Sequence, residues 1–158
     1  MPRTQATDQG EQKVLDDIQK FGWHCMHVFG DEEHEPFSYT IGLFQTYGQP
    51  ELLIYGLPRE VAHAVLTIAA EAAAKDKPFD LNEPTYEFLE GYACVFVPVP
   101  LAEYPEHVGF ARWYYEGDKF PVQQIVWPSK SRHFPWHANA TDAFRSKQPV
   151  LGQHERGV

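Results

Sequence analysis

Two short apolar runs on either side of a turn form the clearest pattern in the chain, at residues 37–44 and 51–55. Residues 47–50, Tyr-Gly-Gln-Pro, are of the kinds that favour chain reversal. Alternation along the first run gives one face with Phe37, Tyr39, Ile41 and Leu43 and another with Ser38, Thr40, Gly42 and Phe44. The pattern predicts a central β-hairpin whose first strand has one apolar face and one small, hydroxyl-bearing face.

Four other runs predict strands, because they are short and largely apolar and have a glycine or proline at or close to each end. They cover residues 23–29, 86–89, 93–99 and 122–127. In the first of them, alternation separates Trp23, Cys25, His27 and Phe29 from His24, Met26 and Val28. Since both of these faces are largely apolar, we expect this strand to lie inside the sheet.

Helical periodicity marks three further segments. Residues 8–21 begin with acidic residues at capping-box spacing and are followed by Gly22, which favours a helix end. Residues 58–75 begin with proline, which suits a first helical turn. Their predicted apolar stripe consists of Val61, Val65, Ile68, Ala69 and Ala72. Residues 105–115 predict the third helix.

The two ends of the chain differ in apolar content. Residues 1–7 are polar and unanchored, which predicts a disordered N-terminus. Residues 128–152 contain prolines that interrupt regular structure, but they also carry Phe134, Trp136, Phe144, Val150 and Leu151. We therefore predict that this segment packs back onto the body, giving one domain over residues 8–152 and a flexible tail at 153–158.

Together these elements predict an α+β fold. We expect a mainly antiparallel, strongly bent sheet or a split barrel, with roughly five strands and two to three helices. The alanine-rich helix at residues 58–75 is expected to pack across this sheet, because small side chains allow close approach.

Composition narrows the classes of partner. The chain has 13 Lys and Arg residues against 22 Asp and Glu residues, which gives a net charge of −9. We therefore expect no nucleic-acid partner, because the protein would repel the phosphate backbone. No stretch is apolar over the length that a bilayer requires, so we expect no membrane association and a cytoplasmic location. The only two cysteines, Cys25 and Cys94, are far apart and favour reduced thiols over a disulfide.

The histidines and cysteines are candidates for metal binding and for nucleophilic catalysis. On a strand, His24 and His27 point to opposite faces, and Pro135 prevents a helix that would align His133 with His137. These spacings favour no metal site. Cys25 lies between two histidines, but a residue from elsewhere in the chain would have to complete a catalytic dyad. No catalytic residue is therefore assigned.

A polar and aromatic cluster is the candidate ligand site. Two adjacent glutamines in an otherwise apolar strand must turn at least one amide inward, where it needs hydrogen-bond partners. The alternative is that one glutamine faces solvent while the other bonds a loop backbone. The predicted pocket lies between the small face of the hairpin strand and this strand, and it comprises Ser38, Thr40, Gln123, Gln124, Trp127, Arg132 and Trp136.

Several of these segments occur together in one known family. The runs FSYTIGL, PELLIYGLP and QQIVWP, with the closing FPWH and QPVLG, resemble the bacterial domain-of-unknown-function family 4262 over roughly residues 11 to 152. The resemblance implies no activity and no catalytic residues. Ser129 stands where that family more often has an aspartate after Trp-Pro. A vaguer likeness links the strand, turn and helix order to flavin-reductase-like split barrels.

Three functions remain open at the level of sequence. The first is a small-ligand-binding module with a polar-aromatic pocket. The second is a flavin-dependent oxidoreductase on a split-barrel scaffold, although the phosphate-binding motifs GxGxxG and GxxxxGK[ST] do not occur. The third is a protein–protein interaction or regulatory module with exposed aromatic residues. The sequence does not indicate an oligomeric state.

Overall fold

The computed structural model of the chain describes residues 1–154 and contains one open sheet in the strand order β1-β2-β3-β6-β5-β4. Its strands are β1 His24–Val28, β2 Phe37–Ile41, β3 Glu51–Tyr55, β4 Thr85–Leu89, β5 Tyr92–Pro98 and β6 Val122–Val126. All neighbouring strands are antiparallel except β3 and β6, which are parallel. The predicted α+β class is confirmed, and the sheet is not closed into a barrel.

The helices cover both faces of this sheet. They are α1 Gln9–Phe21, α2 Leu43–Tyr47, α3 Arg59–Ala74, α4 Tyr104–His107, α5 Gly109–Tyr115 and α6 Asp142–Lys147. One apolar core joins Val14 of α1 and Ala111 of α5 to Tyr39 of β2. A second core joins Leu66 of α3 to Ile54 of β3 on the opposite face. Both faces of the central strands are therefore buried.

The predicted hairpin forms, with β2 and β3 paired antiparallel and Tyr39 opposite Leu53. Its first strand ends earlier than predicted, at Ile41, because Gly42 takes a φ of 114° and the short helix α2 follows. A side chain at Gly42 would lie 2.9 Å from the carbonyl oxygen of Gly22, so the site requires glycine. The joint of the hairpin is thus a helical turn packed against the end of α1.

Four local expectations can be compared with the structure. The cap of α1 is confirmed, since the Asp8 carboxylate accepts the Glu11 N–H at 2.7 Å. The inside position for the first strand was wrong, because β1 is an edge strand. The predicted helix at 105–115 is divided at Val108, whose φ of −120° and ψ of 46° are not helical. The apolar stripe of α3 was partly wrong: Val61 is exposed, and the buried residues are Ala62, Val65, Leu66, Ala69 and Ala70.

The C-terminal segment packs on the body as predicted. Gln148 is fully buried, and its side chain exchanges hydrogen bonds with the backbone of Trp127. At the other end, the Arg3 backbone N–H donates to the Tyr114 carbonyl at 2.8 Å. The domain limits, the disorder of residues 1–7 and the flexible tail stay predictions, and residues 155–158 of that tail lie outside the described part of the chain. Within residues 1–154, no helix has the length and apolar character needed to span a membrane.

Candidate metal centre

A cleft of about 840 Å³ lies over the open edge of the sheet, where β1 has no further strand beside it. We call it the edge cleft. Its walls include Asp17 and Phe21 from α1, Cys25 and His27 from β1, and Arg59 and His63 from α3. Because α1 and α3 pack on opposite faces of the sheet, the cleft reaches across the edge from one face to the other.

Three potential metal ligands converge in this cleft. One ligand atom from each of Cys25, His27 and His63 lies within 4.8 Å of the other two. Cys25 and His27 share a face of β1 because they are two residues apart on a strand. His63 comes from the exposed side of α3, one turn after Arg59. The tertiary structure therefore supplies the third group that the strand alone could not provide.

The cysteine and the first histidine are already at a ligand-like separation. Cys25 Sγ lies 3.5 Å from His27 Nε2. Bonds of about 2.3 Å to sulfur and 2.0 Å to nitrogen, at a tetrahedral angle, place those two atoms roughly 3.5 Å apart. The same separation suits an S–H···N hydrogen bond when the thiol keeps its proton. An ion could therefore replace that proton with little movement of either side chain.

Ser38 fixes the orientation of His27 from the neighbouring strand. The two residues are directly opposite each other in the β1–β2 pair, and His27 Nδ1 lies 2.7 Å from Ser38 Oγ. With its proton on Nδ1, donated to Ser38 Oγ, the ring directs the Nε2 lone pair at Cys25, and this is the tautomer that metal binding through Nε2 requires. Histidines that bind metals are commonly held in this way by a partner on the other ring nitrogen.

Local electrostatics keep both groups of this pair neutral. Burial raises the pKa of the Cys25 thiol to about 12, although Arg59 opposes that shift. Burial and the nearby Arg59 lower the pKa of His27 below its ordinary value. A reactive cysteine needs a stabilised thiolate, so this environment disfavours a thiolate–imidazolium nucleophile. It suits a neutral imidazole and a thiol that loses its proton only to a metal ion.

His24 belongs to a separate pair. Its Nδ1 lies 2.7 Å from Asp17 Oδ2, and Lys13 contacts the other oxygen of that carboxylate at 2.8 Å. Burial opposes ionisation of Asp17, but its hydrogen bonds to Lys13 and His24 hold its pKa below the ordinary value. His24 and His27 thus point away from each other, as the alternation indicated.

A second polar cluster surrounds the fully buried Glu51, which sequence reasoning missed. Thr40 Oγ1 donates to its carboxylate at 2.7 Å, and the backbone N–H groups of residues 42–44 donate at 3.0–3.1 Å. Tyr115 also donates to it through its hydroxyl group. Burial raises the pKa of Glu51, while the hydrogen bonds from Tyr115, Thr40 and the N–H groups of Phe44 and Gly42 oppose that shift. We call this arrangement the Glu51 cluster, and its role is to fix α2 against β3.

The predicted ligand residues fall into different parts of the molecule. Ser38 contacts His27 beside the edge cleft, whereas Thr40 belongs to the Glu51 cluster. Gln124 is fully buried, and its side chain bonds the backbone of Pro149 and Leu151 at 2.8 and 2.9 Å. This is the loop-backbone alternative that the sequence left open.

The remaining members of the predicted set lie around the C-terminal segment. The Trp127 ring N–H donates to the Tyr55 carbonyl at 2.7 Å. Gln123 lines a cavity of about 170 Å³ beside β5, and Trp136 lines another with residues of the C-terminal segment. Arg132 donates to the Gly91 carbonyl at 3.2 Å. The structure does not bring these residues together with Ser38 and Thr40, and ligand binding by any of them stays a prediction.

Comparison with known proteins identifies the family. The family model described as "Domain of unknown function (DUF4262)" matches residues 17–141, which is most of the chain. The chain belongs to the DUF4262 family. No curated protein and no solved structure matches it.

The matched segment contains all three candidate ligands. His63 was not predicted, because the groups of histidine and cysteine visible in the sequence are those that lie close together along the chain. The available signal was weak: His63 and Thr67 interrupt the otherwise alanine-rich helix at a spacing of one turn. That spacing places both side chains on one face of the DUF4262 helix, but it does not indicate which strand they approach.

Proposed function

We propose that this domain binds a divalent transition-metal ion, Zn²⁺ being the best fit, through Cys25, His27 and His63. The observation that carries the proposal is the convergence of their three ligand atoms within 4.8 Å in a solvent-accessible cleft. Thiolate and imidazole are the ligand types that zinc prefers. Three protein ligands leave a fourth position for water or another small molecule.

The ligand set also distinguishes between metals. An electron-transfer copper site commonly adds a weak methionine ligand to two histidines and a cysteine. Met26 lies next to Cys25 in the chain, but it packs into the core on the opposite face of the sheet. With hard oxygen ligands missing from the triad, Ca²⁺ and Mg²⁺ are poor candidates. Zinc therefore fits better than these alternatives.

This proposal is a specific form of the small-ligand-binding function expected from the sequence, and it departs from the expectation of no metal site. A flavin-dependent oxidoreductase is less well supported, because its split-barrel scaffold is replaced by an open sheet. An interaction module is supported only by exposed aromatic residues such as Phe29. A cytoplasmic location and a bacterial source stay predictions.

The experiment is a titration of protein without a polyhistidine tag, reduced and freed of metal by a chelator. We expect one equivalent of Zn²⁺ to bind, and Co²⁺ to give the near-ultraviolet band of a thiolate–cobalt bond. Cys25→Ser should abolish that band. His27→Ala and His63→Ala should each lower Zn²⁺ affinity by more than the roughly 10- to 100-fold typical of losing a ligand's hydrogen-bond partner.

His34→Ala is the matched control, because His34 is exposed and bonded to Asp31 in a loop that does not line the edge cleft. It should leave the stoichiometry and the affinity unchanged. The proposal is wrong if the protein takes up no Zn²⁺ or Co²⁺, or if His34→Ala weakens binding as much as His63→Ala does. Rapid alkylation of Cys25 at neutral pH, unaffected by Zn²⁺, would favour the nucleophile interpretation instead.

A further inference from the structure

The edge cleft that contains the three proposed metal ligands is also lined by Arg59. This residue and His63 are four positions apart on α3 and both line the cleft. Residues at that spacing lie on the same face of a helix. A molecule bound to the ion opposite the three protein ligands would therefore be within the same compartment as the guanidinium group.

The charges at this position favour an anion. A divalent ion with one thiolate and two neutral imidazoles retains a single positive charge, and Arg59 adds another. The first turn of α3 adds partial positive charge, because no side chain caps its N–H groups. Arg59 is the first residue of this turn. Among Asp, Glu, Lys and Arg, Arg59 is the residue whose charge acts on both Cys25 and His27.

The surrounding residues limit the charge and the shape of that anion. Asp17, Glu60 and Glu71 also line the edge cleft, so a multiply charged anion would be repelled more strongly than a singly charged one. Phe21, which is 56% exposed, and Trp23, which stacks on His63, provide apolar surface. A planar carboxylate also matches the paired N–H groups of a guanidinium.

We infer that the edge cleft binds a small monocarboxylate with an apolar body, its carboxylate held between the metal ion and Arg59. This inference rests on the proposed metal-binding function. It assigns Arg59 as a specificity-determining residue, and it assigns Phe21 and Trp23 as the surface that the body of the ligand contacts. The ligand is distinguished from phosphate by its charge and from acetate by its apolar part.

The test uses Co²⁺-loaded protein and benzoate as the probe. The cobalt spectrum is recorded first, and benzoate is then added while the visible bands are followed. We expect saturable binding of one benzoate, weaker binding of acetate, and no competition by inorganic phosphate at equal concentration. Arg59→Gln should lower benzoate affinity by about tenfold or more, the size expected for losing a charge-assisted hydrogen bond, while the protein still binds one equivalent of Co²⁺ and keeps its thiolate band.

Lys13→Gln is the matched control. Lys13 is also a cation of the edge cleft, but its amino group is engaged by Asp17 at 2.8 Å. The inference is wrong if benzoate leaves the cobalt spectrum unchanged, if phosphate binds as well as benzoate, or if Lys13→Gln and Arg59→Gln have equal effects. Failure of Co²⁺ to give a thiolate band before any benzoate is added overturns the metal proposal itself and this inference with it.

Discussion

Ser38 and Thr40 lie two residues apart on the same face of β2, yet they serve two polar clusters of different kinds. Thr40 donates to Glu51 and accepts the Leu52 N–H at 2.9 Å, inside a cluster where every polar group has a partner. Ser38 contacts His27 at the edge cleft, where the ligand atoms of Cys25 and His63 lie nearby. Two neighbouring positions on the same face of one strand can therefore have different roles.

The difference lies in hydrogen-bond satisfaction and in access to solvent. Five donors point at the Glu51 carboxylate, and solvent does not reach it, so the Glu51 cluster has no room for a ligand. In the edge cleft, among residues 1–154, the His63 ring has aromatic neighbours but no hydrogen-bond partner for its nitrogens. A cluster that is complete by itself stabilises the fold, whereas one with free ligand atoms is suited to binding.

The largest effect is expected for Glu51→Gln. The new amide would place N–H groups against backbone N–H donors, so we expect a loss of about 3 kcal/mol or more in the free energy of unfolding. Urea denaturation measures it, with the exposed Glu90→Gln as control. If Glu51→Gln is as stable as Glu90→Gln, the Glu51 cluster does not have the structural role that separates it from the edge cleft.

Ser38→Ala tests the role of the edge cleft in metal binding. Removing the partner of His27 Nδ1 should lower Zn²⁺ affinity by about 10- to 100-fold, because the imidazole loses the hydrogen bond that orients its ring. Isothermal titration calorimetry measures this change. Thr40→Val is the matched variant and should lower stability while leaving Zn²⁺ affinity unchanged. Equal Zn²⁺ affinities for Ser38→Ala and the unmodified protein would contradict the assigned role of Ser38.

The pH dependence of binding follows from the two shifted groups. Below its raised pKa of about 12, the Cys25 thiol carries a proton that the metal must displace. The lowered pKa of His27 means that this imidazole is already neutral and releases none. Between about pH 7.5 and 9, Zn²⁺ affinity should therefore rise about tenfold per pH unit, with about one proton released per ion. A constant affinity over this range would exclude Cys25 as a ligand.

The smallest effect is expected for His63→Ala on stability. Because His63 is exposed and makes no hydrogen bond through its ring within residues 1–154, the free energy of unfolding should change by no more than about 0.5 kcal/mol. Thermal unfolding of the chelator-treated protein measures it. A large destabilisation would show that the edge cleft stabilises the fold as the Glu51 cluster does. The two clusters would then not differ in the way described above.

Local patterns in the sequence predicted most elements but not their neighbours. The hairpin of β2 and β3, the cap of α1 and the packing of the C-terminal segment all follow from residues close in sequence or from plain apolar content. The edge position of β1 does not follow from the sequence. An edge strand with helices packed on both faces has the same apolar pattern as a central strand. The predicted ligand cluster likewise assumed that residues near a strand end would meet.

The two polar clusters show where sequence alone was sufficient and where it was not. Alternation along β1 determined that Cys25 and His27 share a face and that His24 does not, since this depends only on the geometry of a strand. The approach of His63 to that face depends on how α3 crosses the sheet, which long-range packing decides. Long-range packing also determines the role of Glu51. Its carboxylate binds the backbone N–H groups of residues 42–44 only because the folded chain brings that turn next to β3.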